Sequence, residues 1–453
     1  MRLYCVPVLH LLALFASGYT TGESSYDEIG RWSLRDQHDY GEWLVDVTRR
    51  TENSSQQLHP TVREFGDLIE ARPHLRMLFA LMFQEVPRSP RYIYELSGRP
   101  QIRDYRHMLR VLDHLIQTAP PYSTRKNRMS YAGIPLSSLL NWPMGTQSGF
   151  AAFLDPEVNA IIKKILNTWG AYLQSPDSVH VLGRAPTDWF GPTGLTDLTD
   201  VANIGRTNYT FDEIFIANAT APYRGFQSWD DFFIRSFREG IRPVAGNDSV
   251  IANACESKPY QVQHNVSAHD QFWIKERPYS IVDMLGGDPL SEKFIGGTVY
   301  QAFLSSLSYH RWHAPVSGRI AKAFTLNGTY FSEPLIIDLA AQEQSHDYLD
   351  ELSLIAAQPY LTSVATRAVI FIEADHPALG TVAFIGVGMA EVSTCDITVK
   401  QGDYVRKGDE LGMFHYGGST HCLLFQEGVN VTGFPATGQT YNVPVRGHLA
   451  TVG

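Results

Sequence analysis

The sequence predicts an α+β protein, with a helical N-terminal domain followed by a body of mostly antiparallel β-structure. From about residue 33 to residue 182, apolar residues recur three and four positions apart, which is the spacing of one helix face. After Arg242-Pro243 the chain changes to short runs rich in β-branched and aromatic residues, separated by turn residues. With 453 residues, of which 44% are hydrophobic, the chain is long enough for two or three domains with a large core.

The helical domain is assigned to residues 29–182. Three of its segments show the helical spacing most clearly: PHLRMLFALMFQEV, IRDYRHMLRVLDHLIQ and PEVNAIIKKILNTWGAYLQ. The last begins with Pro156, which is tolerated in a first turn because the N–H it lacks has no partner there. Residues 183–240 are assigned to a connection, which is expected to be loop-rich to residue 224 and to end in a short helix within QSWDDFFIRSF.

The β-rich body is assigned to residues 241–453. Its predicted strands lie in VIANACES, YQVQH, QFWIK, YSIV, GGTVYQAFLSSLS, GRIAKAFTL, AVIFIEA and TVAFIGVGMAEVSTCDITV. The segment GDYVRKGDELGMF resembles one half of a lipoyl- or biotinyl-type barrel-sandwich, and HAPVSGRI is the candidate for the opposite half. Lys407 lies at the hairpin tip, but the methionines that flank a carrier lysine are missing, so a carrier role is not favoured.

Residues 1–22 have the pattern of a secretory signal peptide, with a cationic start, a short apolar run and small residues at its end. The apolar run is shorter than the roughly 20 residues that a membrane-spanning helix needs. Seven N-x-[ST] acceptors agree with this interpretation: Asn53, Asn208, Asn218, Asn247, Asn265, Asn327 and Asn430. We expect a glycoprotein of the secretory pathway or extracellular space, or a cytoplasmic protein if the leader is not functional.

Composition limits the class of partner. The formal net charge of −10 is not that of a nucleic-acid-binding protein, and it argues against tight docking on anionic lipid. Beyond Cys5 in the leader, only Cys255, Cys395 and Cys422 are present, so at most one disulfide can form. The chain is therefore not a disulfide-built secreted scaffold.

Two histidines in YHRWHAPVSG are the first candidates for chemistry. On a helix, His310 and His313 would share a side and could hold a metal ion, with a third ligand from Glu373, Asp375 or His376. The neighbouring residues instead predict a strand, on which residues three apart point to opposite faces. Two half-buried, hydrogen-bonded histidines are therefore favoured; acid–base work is the next interpretation, ahead of a metal site.

The segment HYGGST, residues 415–420, places two glycines directly before a serine inside a predicted sheet. Glycine in a strand usually marks a bulge, a bend or a close approach of backbone. One interpretation is an activated Ser419 beside a strained backbone. The other is a plain hairpin turn, which the tetrapeptide alone favours. The segment is not the G-x-S-x-G turn of α/β-hydrolases.

Taken together and in order, these segments resemble the phosphatidylserine decarboxylase family. The shared pieces are SWDDFFIRSF at 228–237, Arg242-Pro243, YHRWHAPVSG at 309–318, KGDELGMF at 407–414 and GGST at 417–420. The helical N-terminal domain, ACES at 254–257, FIEAD at 371–375 and EVSTC at 391–395 are similar to a fungal branch that contains L-tryptophan decarboxylases. The resemblance spans roughly residues 29 to 440 and implies the fold of that family.

The resemblance implies a zymogen that cuts itself between Gly418 and Ser419. Ser419 Oγ would attack the Gly418 carbonyl to form an ester, and elimination would leave dehydroalanine at position 419. Hydrolysis of its imine form would leave a pyruvoyl group, the covalent cofactor, at the start of the released chain 419–453. This group takes the substrate amine as a Schiff base and acts as the electron sink while CO₂ leaves.

The resemblance also implies roles for single residues. His313 matches the family histidine that activates the serine, and His310 matches the one near the decarboxylation site. The family's orienting acid is an Asp in an A-D-G motif; the corresponding segment here is ACES, so Glu256 is the candidate to replace it. A homodimer is implied as well, and no metal ion is.

The family acts on two substrate classes: a free amino acid, here an aromatic one such as tryptophan, or phosphatidylserine in phospholipid biosynthesis. The acidic balance and the lack of a polybasic run favour the amino acid. Two hypotheses from other classes stay open. One is an uncut, secreted, non-catalytic binding protein, which the altered acid at 256 favours, and the other is a His-based metallohydrolase.

Overall fold

The computed structural model describes most of the chain beyond residue 45. The described ranges are 46–52, 56–86, 102, 104–122, 135–204, 207–270, 279–332, 358–389, 394–416, 419–439 and 441–453. The predicted leader, the predicted strand QFWIK, the acceptor Asn53 and the pair Gly417-Gly418 lie outside these ranges.

Helices dominate the described residues before position 234. They are α1 Pro60–Ala71, α2 Pro73–Glu85, α3 Tyr105–Leu115, α4 Pro135–Met144, α5 Gln147–Leu154, α6 Pro156–Gln174, α7 Pro192–Asn203, α8 Phe211–Ile214 and α9 Trp229–Phe233, with α10 Ile281–Met284 further along the chain. Short 3₁₀ helices span Pro176–Leu182, Pro222–Gly225 and Pro289–Phe294. The three segments with the clearest helical spacing therefore form α2, α3 and α6.

Local signals explain where these helices begin. Helix α6 starts at Pro156, and the Asp155 carboxylate accepts hydrogen bonds from the N–H groups of Glu157 and Val158 at 2.8 and 3.2 Å. Asp104 caps α3 in the same way, accepting the His107 N–H at 2.8 Å. Both caps satisfy amides that a helix leaves without an internal partner.

Two segments differ from the prediction. The stretch 183–224, expected to be loop-rich, contains α7 and α8; α7 begins at Pro192, a good first position in a helix. The predicted strand YSIV contributes instead to α10. Periodicity cannot separate helix from strand over four residues, and the Arg367 guanidinium stabilises this helix by donating to the carbonyls of Asp283 and Met284.

Strands make up the second half of the chain. They are β1 Val250–Ala252, β2 Lys258–His264, β3 Thr298–Leu304, β4 Arg311–His313, β5 Gly318–Leu326, β6 Arg367–Ala374, β7 Thr381–Gly388, β8 Thr394–Ile397, β9 Tyr404–Val405, β10 Glu410–His415, β11 Ser419–Phe425, β12 Val431–Thr432 and β13 His448–Val452. The described strands form a seven-stranded sheet, β2-β3-β11-β7-β6-β5-β9, and two three-stranded sheets, β4-β10-β8 and β1-β13-β12. All of their pairings are antiparallel, as predicted.

No sheet closes into a barrel among these strands, so the barrel-sandwich element remains a prediction. The chain is thus a mixed protein of helices and antiparallel sheets. In the part of the chain that the structure describes, no helix has both the length and the apolarity to cross a membrane.

Three apolar clusters hold these elements together. The helical core contains residues such as Trp169 and Trp229 and also takes in Tyr416 from the β body. The inner layer joins side chains of all three sheets, among them Trp312 and Phe414. The outer layer packs the other face of the large sheet against α10 and the 3₁₀ helix at Pro289–Phe294. Strand β11 lies in the middle of the large sheet and is buried on both faces.

Candidate active site

Ser419 is the first residue of β11 and lies between β3 and β7, where its cross-strand partners are Leu304 and Gly388. Alternate residues of a strand share a face, so Ser419 faces the inner layer together with Leu423. Its side chain is fully buried, and its Oγ has no hydrogen-bond partner among the described residues. Gly388 adds no side chain beside it. The Ser419 hydroxyl is therefore buried and forms no hydrogen bond that would stabilise the fold in the described part of the chain.

The backbone three residues before this serine, at Tyr416, is in an unfavourable conformation. Tyr416 has a φ of +63°, in the left-handed region that costs a residue with a side chain about 1–3 kcal/mol. It lies where the chain leaves β10 in a three-stranded sheet and passes to β11 in the large sheet. The sequence interpretation placed the strain at the glycines; among the described residues of this link it is found at Tyr416.

His313, at the end of β4, is buried and neutral. Tyr309 donates its hydroxyl hydrogen to His313 Nε2 at 2.9 Å, and we assign the other ring hydrogen to Nδ1, which donates to the Gly408 carbonyl at 2.9 Å. Burial, with the nearby Arg446 guanidinium, lowers the pKa of His313 to about 3. Arg446 Nε also donates to the Gly408 carbonyl, at 2.9 Å. A neutral imidazole of this kind can accept a proton.

His310, three residues earlier, is fully buried and stacks on Phe233 of α9 with the ring centroids 4.0 Å apart. Its carbonyl accepts the Phe414 N–H, which ties this segment to β10. His310 thus lies against α9, whereas the ring of His313 bonds to Tyr309 and Gly408.

The alternative metal site does not assemble from its proposed ligands. Asp375, one candidate for the third ligand, instead accepts a hydrogen bond from Tyr404 at 2.6 Å. Across the described residues, no group of three His, Cys, Asp or Glu side chains is arranged to hold an ion.

Glu256, the candidate orienting acid, is buried and engaged elsewhere. The Arg242 guanidinium donates two hydrogen bonds to its carboxylate, one of them from Nε at 3.0 Å, and the Val445 N–H donates a third at 2.8 Å. The hydrogen bonds of His313 go to other groups. The structure therefore pairs Glu256 with the Arg of the Arg-Pro motif. Neighbouring residues bring Glu256 near His313: the His313 N–H donates to the Ala254 carbonyl at 2.8 Å, and Arg446, which follows Val445, lies against the His313 ring.

Two histidines that the sequence reasoning passed over also lie here. His415, at the end of β10, is buried and shares a hydrogen bond of 2.9 Å with Asp230 of α9. His421 lies two residues after Ser419 on the same face of β11, between the rings of Tyr300 and Phe384. Burial lowers the pKa of His421 to about 3. The one available signal was position, because both histidines flank the Gly-Gly-Ser segment.

Comparison with known proteins places this chain in a family. Two family models, both described as phosphatidylserine decarboxylase, match residues 59–198 and 229–444. An L-tryptophan decarboxylase of Psilocybe cubensis is 34% identical over 85% of this chain and 85% of its own length. Decarboxylase iboD of Amanita muscaria is 39% identical over 70% of this chain and 91% of its own. Phosphatidylserine decarboxylase proenzyme 2 of Oryza sativa is 28% identical over 60% of this chain and 38% of its own.

These matches cover both the helical part and the β body, and the second family model spans Arg242, His313 and Ser419. They give no support to a metallohydrolase or to a protein that only binds. The chain belongs to the phosphatidylserine decarboxylase family, with fungal L-tryptophan decarboxylase among its relatives, and is a decarboxylase, a carboxy-lyase.

Proposed function

We propose that the chain is a proenzyme that cuts itself between Gly418 and Ser419 and then decarboxylates a free amino acid by means of a pyruvoyl group derived from Ser419. The observation that carries the proposal is the buried Ser419 hydroxyl, which has no partner among the described residues and follows a left-handed Tyr416. A hydroxyl without a hydrogen-bond partner among the described residues is available to react with its own backbone.

The cleavage step follows from the chemistry of serine. Ser419 Oγ adds to the Gly418 carbonyl carbon, the peptide C–N bond breaks, and an ester replaces the amide. Loss of the Cα proton of residue 419 then expels the Gly418 carboxylate, which becomes the new C-terminus, and leaves dehydroalanine. Water hydrolyses the imine form, releasing ammonia and leaving the pyruvoyl group. Proximity in a folded chain can take the place of an external nucleophile.

The surroundings of Ser419 fit such a group. The cross-strand neighbour Gly388 adds no side chain beside it, and the inner layer shields it from water. When present, the group supplies an electrophilic carbonyl for the substrate amine and an electron sink for the departing carboxylate. His310 is proposed to return a proton to the substrate carbon once CO₂ has left.

His313 is proposed to take the Ser419 proton at Nε2. Burial lowers its pKa to about 3, so the ring is neutral at physiological pH and Nε2 keeps a lone pair, although the same shift makes it a weaker base than a free imidazole. Its Nε2 lone pair faces the Tyr309 hydroxyl. A proton from Ser419 must therefore pass through that hydroxyl or displace it, and we propose that it passes through Tyr309.

A free aromatic amino acid is the proposed substrate. Fungal relatives named L-tryptophan decarboxylase align with most of this chain, whereas the relative named phosphatidylserine decarboxylase proenzyme 2 aligns with 60% of it. Around His310 the side chains are aromatic, since Phe233, Trp229 and Tyr416 pack in succession. These rings are buried in the helical core, so the support for an aromatic substrate comes from the relatives. Phosphatidylserine is the second candidate.

Intact mass of the purified chain tests self-cleavage. We expect two chains, with the one beginning at residue 419 lighter by one ammonia than a simple hydrolysis product. Ser419→Ala should stay whole. Thr420→Val is the matched control, because it removes the neighbouring hydroxyl, which faces the other side of β11, and it should still be cut. A wild-type chain that stays whole after folding contradicts the proposal.

Release of CO₂ tests the substrate. The cut protein is incubated separately with free aromatic amino acids, with free serine and with phosphatidylserine vesicles. Activity on the aromatic amino acids supports the proposal. Activity on vesicles alone replaces the proposed substrate with the lipid.

We also propose that the protein travels through the secretory pathway. The six described N-x-[ST] acceptors all have exposed asparagines: Asn208, Asn218, Asn247, Asn265, Asn327 and Asn430. Treatment of protein from a eukaryotic host with an N-glycosidase should lower its mass. An unchanged mass, with the protein found in the cytoplasm, contradicts this route.

A further inference from the structure

The two residues directly before the Gly-Gly-Ser segment are held by the helical part of the chain. Tyr416 is buried in the helical core, with its ring centroid 5.7 Å from that of Trp169 and 6.3 Å from that of Trp229. A Cβ at Gly170 of α6 would overlap the Tyr416 hydroxyl and lie 3.1 Å from its Cζ. The glycine therefore makes room for this ring.

His415 is held by an ion pair to the same layer. Its Nδ1 lies 2.9 and 3.1 Å from the two carboxylate oxygens of Asp230, and both side chains are buried. Asp396 of β8, half exposed, lies 3.7 Å from Nε2, and the Tyr416 ring is 5.8 Å away. Burial lowers the pKa of His415, but the hydrogen bond and charge of Asp230, with Asp396, outweigh it and raise that pKa above its usual value.

With these contacts, the side chains of consecutive residues at the end of β10 point into different layers of the molecule. Phe414 points into the inner layer, and His415, the next residue, points the opposite way, to α9. Tyr416 then takes its left-handed conformation, which is unfavourable by itself and persists only where surrounding contacts fix it. We call Asp230, His415, Tyr416, Trp169 and Gly170 the anchor.

We propose that the anchor positions the chain for self-cleavage, so that the helical layer controls how fast Ser419 is processed. The anchor residues are positioning residues: they act through the backbone between His415 and Ser419. The inference rests on the proposed self-cleavage, and it adds that the N-terminal helices act as an internal maturation factor for the β body.

The ion pair is tested by the rate of cleavage during cell-free synthesis of the full chain, followed by intact mass. Asp230→Asn should be cut about tenfold more slowly, because small misplacements of reacting groups are costly. Asp288→Asn is the matched control, since it removes a buried carboxylate that pairs with Lys322 far along the chain from the anchor. It should be cut at close to the wild-type rate.

A pH profile separates positioning from general damage. Because the pKa of His415 is raised, its charge is present at lower pH and is lost as pH rises through that value. Wild-type cleavage should slow on the alkaline side. In Asp230→Asn the decline should begin at lower pH, because the main group that raises the pKa is gone. A purely structural defect would lower the rate without moving the profile.

The role of the Tyr416 ring and its contact with Gly170 is tested by a pair of variants. Gly170→Ala should slow cleavage, because its methyl group displaces Tyr416, and adding Tyr416→Phe should restore part of the rate by removing the overlapping hydroxyl. This rescue decides the matter if Asp230→Asn fails to fold. If the wild-type chain is cut and both Asp230→Asn and Gly170→Ala are cut at the wild-type rate, the inference is overturned while the proposed function stands. The same holds if Tyr416→Phe does not restore the rate of Gly170→Ala. An uncut wild-type chain overturns the proposed function and the inference together.

Discussion

Two of the four buried histidines at the site, His313 and His415, have pKa values shifted in opposite directions. His313 is surrounded by a hydroxyl, a carbonyl and an arginine, so burial prevails and its pKa falls to about 3. His415 is buried nearly as well, but the adjacent carboxylate of Asp230 raises its pKa. Burial alone therefore does not decide the charge of a histidine; the sign of the nearest partner does.

Because their pKa values are shifted in opposite directions, the two side chains are suited to different roles. A neutral imidazole such as His313 can accept a proton during chemistry. An imidazole paired with a buried carboxylate is better suited to hold two elements together, and His415 joins β10 to α9 through Asp230. Four predictions test this comparison.

The largest effect is expected for His313→Ala. Loss of a general base slows a reaction by about a hundredfold to ten-thousandfold, so cleavage should nearly stop on the time scale of synthesis. Cleavage is followed by intact mass after cell-free synthesis. His264→Ala, which changes an exposed histidine of β2, is the control and should be cut normally. Cleavage of His313→Ala at the wild-type rate would mean that another group is the base.

Asp230→Ala should be the most destabilising change at the other histidine. It leaves His415 buried without its acid, which costs about 3 kcal/mol in the free energy of unfolding. Urea unfolding in the uncut Ser419→Ala background measures this on a single chain. Asp396→Ala removes the second, 54% exposed carboxylate near His415, and it should change stability far less. Equal losses in the two variants would show that His415 is not held mainly by Asp230.

The two histidines should make stability depend on pH in opposite ways. The pKa of His313 is depressed, so the unfolded chain binds more protons and stability falls as pH drops from about 6.5 toward 3. His415→Gln should remove a contribution that is present below about pH 6.5 and lost as pH rises through the raised pKa. Urea titrations of the Ser419→Ala background across pH, with His313→Gln and His415→Gln, compare the two slopes. Parallel slopes would contradict the assigned charges.

Tyr309→Phe should give the smallest effect. It removes the proposed relay hydroxyl but leaves the base, and Ser419 can then reach His313 Nε2 directly. The expected loss is therefore that of one hydrogen bond, about 1 kcal/mol, or about fivefold in the rate of cleavage. Tyr404→Phe, which removes an exposed hydroxyl bonded to Asp375, serves as the control. Faster cleavage in Tyr309→Phe would show that the hydroxyl competes for Nε2 instead of passing the proton.

Much of the architecture could be predicted because it follows from local patterns of apolar residues and prolines. The spacing of apolar residues in 156–174 and its proline give α6 with the expected bounds, and the short apolar run in AVIFIEA, residues 368–374, gives β6. Four-residue segments such as YSIV could not be assigned, since helix and strand differ too little over that length. Its helical form depends on the distant Arg367.

Within the site, the sequence by itself determined which chemical groups are present and their order: two histidines in YHRWH, a glutamate in ACES and a serine after two glycines. Tertiary structure alone decided their partners. Asp230 and His415 are 185 residues apart in the chain, and Glu256 meets Arg242 and Val445 only after folding. The charge of each histidine depends on those partners and on burial, and neither is a property of a short segment of chain.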